Sequence, residues 1–578
     1  MTSTTNGEVL EISSERVDDI PVIVAWLDQM ELAQWIDESI VRPHGNHQGL
    51  SYGQLSVLLL TYIISQADHR LCAVEGWVNR HRQVLERSTQ LSIGDKDVSD
   101  DRLARVVEEL GLQSNACNEI EVKLGQHLIR AYELPTDVAR IDTTSYSVHH
   151  EQHQLEESRS LLRQGHSKDH RPDLLQYRQM LGTLDPAGVP LVSATLAGNG
   201  ADDPVYLPTW EKMVQVLGHT QFIVIADCKA GAIKTRAQIA SKGGFYCFPL
   251  SMSGQTPDLL KQWVLNPPIE VTDINLSHPA VMDEVQVRGF EMILGKFWQN
   301  PETQEWIVWD ERHLVVFSQK LADAAIRGQR ERLEKAQNAL AKLAAKPGDD
   351  LEHLNQRVES IQKRYRTREL LNVTTRAETL TETRYIRRGR PTPESPTEQI
   401  ERCKLQLTIQ VQSEAIEQFK QLAGWRLYVT NTISTQMTLT QGVMYYRDEW
   451  TLERGFHRFK RGRLPALPIY FQNQNRIIGL MFLLTIALRV FTLMEFVVRL
   501  ALKDTGDNLS GLYEGNPKRA TARPSAEQML KAFTNLTIYF LPSDQIFITP
   551  LSELQRQILV LMKLPDSIYC LDLKREKT

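Results

Sequence analysis

Residues Tyr446–Lys460 read YRDEWTLERGFHRFK. The stretch has no proline, a single glycine (Gly455), and many residues that tolerate a helix. At roughly 100° per residue it sorts into three stripes. Tyr446, Glu449, Glu453, His457 and Lys460 fall within about 40° of Glu453. Tyr445, Leu452, Phe456 and Phe459 form an adjoining apolar stripe that would pack on a core. Arg447, Arg454, Arg458 and Arg461 form a third stripe, purely basic. A carboxylate face beside an arginine face suits an enzyme that holds a divalent metal next to a polyanion. The plainer alternative is a solvated surface helix.

Two aspartates upstream stand where such a site would need them. In DVARIDTTSYSV, residues 137–148, the texture turns to β, and Asp142 lies inside the run. A buried strand carboxylate is costly unless paired or bound to a metal, and the alternative is an edge strand facing water. QFIVIA, residues 221–226, is a short continuous apolar run, as expected of a strand buried on both faces. It ends at Asp227, ahead of another helical run, where open α/β sheets place their chemistry. Between the two lie strand-like runs at Tyr177–Leu184 and Val189–Thr195, joined by a DPAG turn at Asp185–Gly188. Phe245–Leu250 supplies one more strand.

The spacing Tyr446-x2-Glu449-x3-Glu453-x6-Lys460 resembles the Tyr-x2-Arg-x3-Glu-x6-Lys signature of bacterial insertion-sequence transposases, in the IS-four superfamily with a DDE triad. GHSKDHRPDL, residues 165–174, resembles a segment of its IS-sixteen-thirty-four-like branch. Glu449 stands where that signature has Arg, with Arg447 nearby. The resemblance is strongest over residues 138–227 and 424–465. It implies a mixed α/β fold with an RNase H-like catalytic core, a five-stranded sheet flanked by helices. Asp142 would lie on the first strand, Asp227 after the fourth and Glu453 on a later helix, together forming the catalytic and metal-binding triad. Three such carboxylates can hold two divalent cations about 3.5–4 Å apart. Magnesium suits their oxygen ligands, with manganese as an alternative. Tyr446, Arg447, Arg454, Arg458, Lys460 and Arg461 would face DNA.

The expected function is a DNA transposase that binds terminal inverted repeats, cleaves there and transfers the freed strands. Its partners would be double-stranded DNA, both terminal repeats and target, and a second copy in a homodimer. Two alternatives keep part of this: an RNase H-like nuclease without strand transfer, and a domesticated DNA-binding protein with an idle site.

The 578 residues allow two to four domains. The organisation expected is a helical N-terminal domain over 1–135, suited to DNA end binding; the first part of the core over 136–250; an insertion over 251–423; the second part of the core over 424–500; and a C-terminal region over 501–578. Residues 1–15 read as a loose tail. The insertion carries β runs at Glu284–Phe297 and Glu305–Phe317, then two heptad-like helical runs divided by Pro347-Gly348. Strand-like Thr379–Arg387, a Pro-rich basic loop and strand-like Lys404–Val411 follow.

The formal net charge of −5 gives no global signal for nucleic acid, so basic residues would have to act locally. Six cysteines with no CxxC spacing read as reduced cytosolic thiols. The start of the chain lacks the basic and apolar segments of a signal peptide. The most apolar run, Ile477–Leu488, is shorter than the roughly 20 residues of a membrane span. It reads as a buried helix of a cytoplasmic protein that does not engage a membrane. His149, His150, His153, His166 and His170 match no standard zinc spacing and read as a solvated loop.

Overall fold

The computed structural model describes residues 4–5, 8–9, 12–41, 49–150, 161–167, 171–276, 287–348, 350–386, 397–541 and 545–571. His153, His170 and most of the Pro-rich basic loop lie outside them.

A nine-stranded sheet organises the chain. Its strands are β1 Val138–Val148, β2 Leu175–Leu184, β3 Val189–Ala197, β4 Ile223–Ala226, β5 Phe245–Pro249, β6 Thr272–Asp273, β7 Val287–Gln299 and β8 Trp306–Ser318. A separate ribbon is made by β9 Leu371–Tyr385 and β10 Thr397–Val411, and β11 Trp425–Thr430 returns to the sheet. The order is β3-β2-β1-β4-β5-β11-β8-β7-β6. Its first five strands, two antiparallel hairpin pairings followed by the parallel neighbours β1, β4 and β5, are the RNase H arrangement. The sheet does not stop at five. β11 adds antiparallel to β5, and the insertion strands β8, β7 and β6 continue it. The β part of the insertion is therefore continuous with the RNase H-like sheet.

The local sequence explains the central strand. In β4, Val224 and Ala226 face one apolar cluster while Ile223 and Ile225 face another, so every position is buried. Both faces are covered, which is why the run is uniformly apolar rather than alternating.

The helices that matter for the site are α1 Tyr52–Gln66, α2 Asp100–Leu112, α3 Ser114–Tyr132, α4 Asp203–Leu217, α5 Gln319–Ala345, α6 Leu351–Tyr365, α7 Leu439–Arg447, α8 Trp450–Arg461 and α9 Gln474–Thr505. One apolar cluster runs from Val17 through α1–α3, the sheet and α9 to Leu571. The N-terminal helices thus share their core with the RNase H-like sheet. The backbones of α2 and α9 touch: a Cβ on Gly111 would meet the Asn475 carbonyl at 1.8 Å, and one on Gly479 the Val107 carbonyl at 1.8 Å.

Three expectations change. First, Ile477–Leu488 is a buried helix, as expected, but it is part of α9, which runs on past Arg489 to 32 residues. Arg489 reads in sequence as the end of the apolar stretch. It is fully buried, donates to the carbonyls of Pro190 (2.6 Å) and Leu191 (2.7 Å), and pairs with Glu121 of α3 at 3.3 Å. The helix is long and apolar enough to cross a membrane, but 94% of its most apolar window is buried inside the fold. Second, Ser13–Arg16 is a strand paired with Thr537–Phe540, so the stretch 1–15 is not wholly a loose tail. Third, Tyr446–Lys460 is not one helix.

Candidate active site

The break falls at Asp448–Glu449, between α7 and α8. Its cause is tertiary. Val443, Tyr445 and Tyr446 of α7 seat on the cluster over β5, β8 and β11, whereas Leu452, Phe456 and Phe459 of α8 seat on the main core. A straight helix would have put Tyr445 in the Phe456 stripe. Arg312 of β8 fixes the approach to α7 by donating to the Met437 carbonyl at 2.8 Å.

Asp142 lies on β1 and Asp227 is the first residue after β4. The two strands are parallel, with Ile141 opposite Ala226, so the two aspartates follow that last pair side by side. Both are half-buried. The Thr143 N–H donates to Asp142 Oδ1 at 2.6 Å. Asp227 Oδ1 accepts from the Tyr206 hydroxyl of α4 at 2.6 Å and from the Lys229 N–H at 2.9 Å. Both bonds fall on one oxygen, and among the described residues Oδ2 accepts none. Burial, reinforced by the charges of Asp227 and Asp142, pushes the Tyr206 phenol far up, so it stays a neutral donor. Tyr206 was not singled out from sequence, where it is one apolar-face residue of a helix.

Glu453 is exposed in the first turn of α8. With Asp142, Thr143, Thr144, Phe456, His457, Lys460 and Arg461 it lines one open cleft of about 420 Å³. Asp227 sits at the end of the neighbouring strand and does not line that cleft. Lys460 is in the cleft, with its ammonium 5.5 Å from the Tyr146 ring centre. Glu449, at the start of α8, is pushed above the usual carboxylate range by burial and by the charges of Glu453 and Asp227, against Arg140 and Arg426. It therefore faces the same acidic group. Arg140, two residues before Asp142, is buried and bidentate to Asp185, at 2.7 and 2.6 Å.

The basic stripe divides. Arg461 is exposed at the cleft. Arg454 bonds Glu495 of α9 at 2.6 Å and keeps 31% of its side chain exposed. Arg458 is 3% exposed and is held by Glu495 and Glu527, so it is a core residue and not a surface cation. The expectation that Arg458 meets DNA is corrected on that ground. It lies on the α9 side of α8, because the helix is turned to bury Phe459. Tyr446 packs against Tyr428, with ring centres 4.9 Å apart, and Arg447 is half-buried beside it. Neither lines the cleft.

Among the described residues no three His, Cys, Asp or Glu side chains are gathered closely enough to enclose a metal ion. The donor chemistry nonetheless fits a hard divalent cation: all-carboxylate oxygens, two of them on adjoining strands, with no bond to Asp227 Oδ2 among the described residues.

The sheet order, with Asp142 on β1 and Asp227 just past β4, is that of an RNase H-like fold. Residues 133–489, well over half of the chain, match the family model described as "Transposase DDE domain", and the chain belongs to that family. No curated protein matches it.

Proposed function

We propose that this DDE transposase binds the terminal inverted repeats of an insertion sequence, cleaves at their ends and transfers the strands to target DNA. The observation that carries the reading is the placement of Asp142, within β1, beside Asp227, just past the end of the parallel neighbour β4, with Glu453 lining the same cleft as Asp142. Asp142, Asp227 and Glu453 would hold divalent ions, magnesium or manganese. Such ions, when bound, activate the attacking hydroxyl and stabilise the leaving oxygen. The chain's own residues do the rest. Tyr206 holds Asp227 in place, Lys460 and Arg461 meet the phosphate beside the scissile bond, and Phe456 floors the cleft.

The IS-four superfamily assignment rests on the Tyr446, Glu453 and Lys460 spacing. A DNA end-binding role for residues 1–135 and a homodimer on two ends belong to the same reading. The domain divisions at 135, 250, 423 and 500 mark functional parts. The test is excision of a marker flanked by the inverted repeats that border the gene. Double-strand release dependent on those repeats, followed by joining to a target plasmid, is expected. Cleavage without joining would make the protein a nuclease, and repeat-independent cutting would remove end recognition.

A further inference from the structure

We infer that the helical hairpin α5–α6 is a DNA-contacting arm, gripping the phosphate backbone of the duplex held at the carboxylates, away from the cleaved bond. The inference rests on the transposase reading and adds a surface that the reading does not use.

The first ground is charge. Residues 319–368 carry twelve Lys and Arg against seven Asp and Glu, a net +5 in a chain whose net charge is −5. Lys363, Arg364, Arg366 and Arg368 crowd into six residues at the end of α6, and all are exposed. Self-neutralisation is slight. Among the described residues of the hairpin the one ion pair is Arg368–Glu359, at 3.5 Å with both side chains mostly in water. Such a pair contributes little.

The second ground is packing. Ala336, Leu340 and Leu343 of α5 and Leu354 and Val358 of α6 close on Leu371 and Leu405 at the base of the ribbon. The hairpin buries the centre of its apolar stripe within the insertion. Its basic outer face is not needed for folding.

The third ground is placement. The row of residues through Ile141 and Ala226 continues across the sheet to Phe248, Val429 and His313. Asp142 and Asp227 lie one step beyond that row. Phe317 and Trp425, where the chain leaves for the hairpin and returns, lie beyond it in the same direction. The hairpin therefore springs from the end of the sheet that presents the carboxylates. β8 is four strand steps from β1, roughly 20 Å at about 4.8 Å per step. A duplex crossing that distance carries about a dozen negative charges.

The test uses the full chain and the variant Lys363→Gln, Arg364→Gln, Arg366→Gln, Arg368→Gln. Two duplexes carry the terminal repeat. The short one reaches about six base pairs either side of the cleaved phosphate, and the long one is extended both ways. On the long duplex, the slope of log affinity against log salt should become shallower by about two to four units, at about 0.9 for each phosphate the arm no longer neutralises. On the short duplex it should not change. Arg327→Gln, Lys335→Gln, Lys342→Gln, on the outer face of α5, should repeat the effect if the first set disturbs α6. An unchanged slope on the long duplex in both variants overturns the arm and leaves the transposase reading standing. Failure of the unmodified chain to bind either duplex overturns that reading itself. Loss of self-association with an unchanged slope would make the basic face a contact between protein copies, which also overturns the inference.

Discussion

Asp227 shows how single contacts prepare the site. Tyr206 and the Lys229 amide both bond Oδ1, which fixes the carboxylate and leaves Oδ2 without a bond among the described residues. Tyr206→Phe should therefore lower cleavage about tenfold, near the 1–1.5 kcal/mol of one such bond. It should also weaken manganese binding measured by calorimetry. Loss of activity with metal affinity intact would assign Tyr206 another role. The cations of α8 separate in the same way. Arg458→Ala removes one of the three arginines around buried Glu495 and the partner of Glu527, and should cost about 1.5–3 kcal/mol of stability, seen in urea unfolding. Lys460→Ala should lower cleavage more than binding, since Lys460 lines the same cleft as Asp142 and Glu453. Equal losses in both would place Lys460 in general DNA affinity instead.

At the scale of elements, packing decides what propensity leaves open. Nothing in YRDEWTLERG announces a break, yet α7 and α8 part at Asp448–Glu449 because they seat on two different apolar clusters. Periodicity placed Leu452, Phe456 and Phe459 correctly and still misplaced Tyr445. The run IVIA followed by Asp was legible because a doubly buried strand must be apolar throughout. Tyr206 was not legible, because its partner is distant in sequence. The crossing of α2 and α9 has no side chain between backbones. Gly479→Ala should cost about 1–3 kcal/mol through overpacking, read as a lower Tm. In the extended sheet, Glu311 is buried with Arg236, Tyr246 and His313. Burial raises its pKa, but the His313 bond, the Arg236 charge and the Tyr246 bond outweigh it and bring it down to about 2. Its stabilising contribution is present above pH 4.5 and is lost as pH falls toward 2. The Tm gap between the native chain and Glu311→Gln should narrow across that window. A constant gap would mean the pairing does not depend on Glu311 being charged.

The whole molecule is more continuous than its sequence suggests. Changes of texture along the chain were legible, because each stretch keeps its own periodicity. The fusion of the stretches was not, because it depends on long-range pairs such as Arg489–Glu121 and Ser13–Arg16 with Thr537–Phe540. An excised 1–135 fragment should lack cooperative melting, since its apolar faces lose α9. End recognition by that region is then best measured by substitutions in the full chain. The triad carries the central claim, and its direct measurement is strand cleavage alongside DNA binding, at one salt concentration, for Asp142→Asn, Asp227→Asn and Glu453→Gln. Each variant should lose cleavage by at least a hundredfold, in the range of catalytic electrostatic groups, while binding stays within a few-fold. Normal cleavage by any one of the three in magnesium would contradict the assignment of that carboxylate, and with it the site described for this fold.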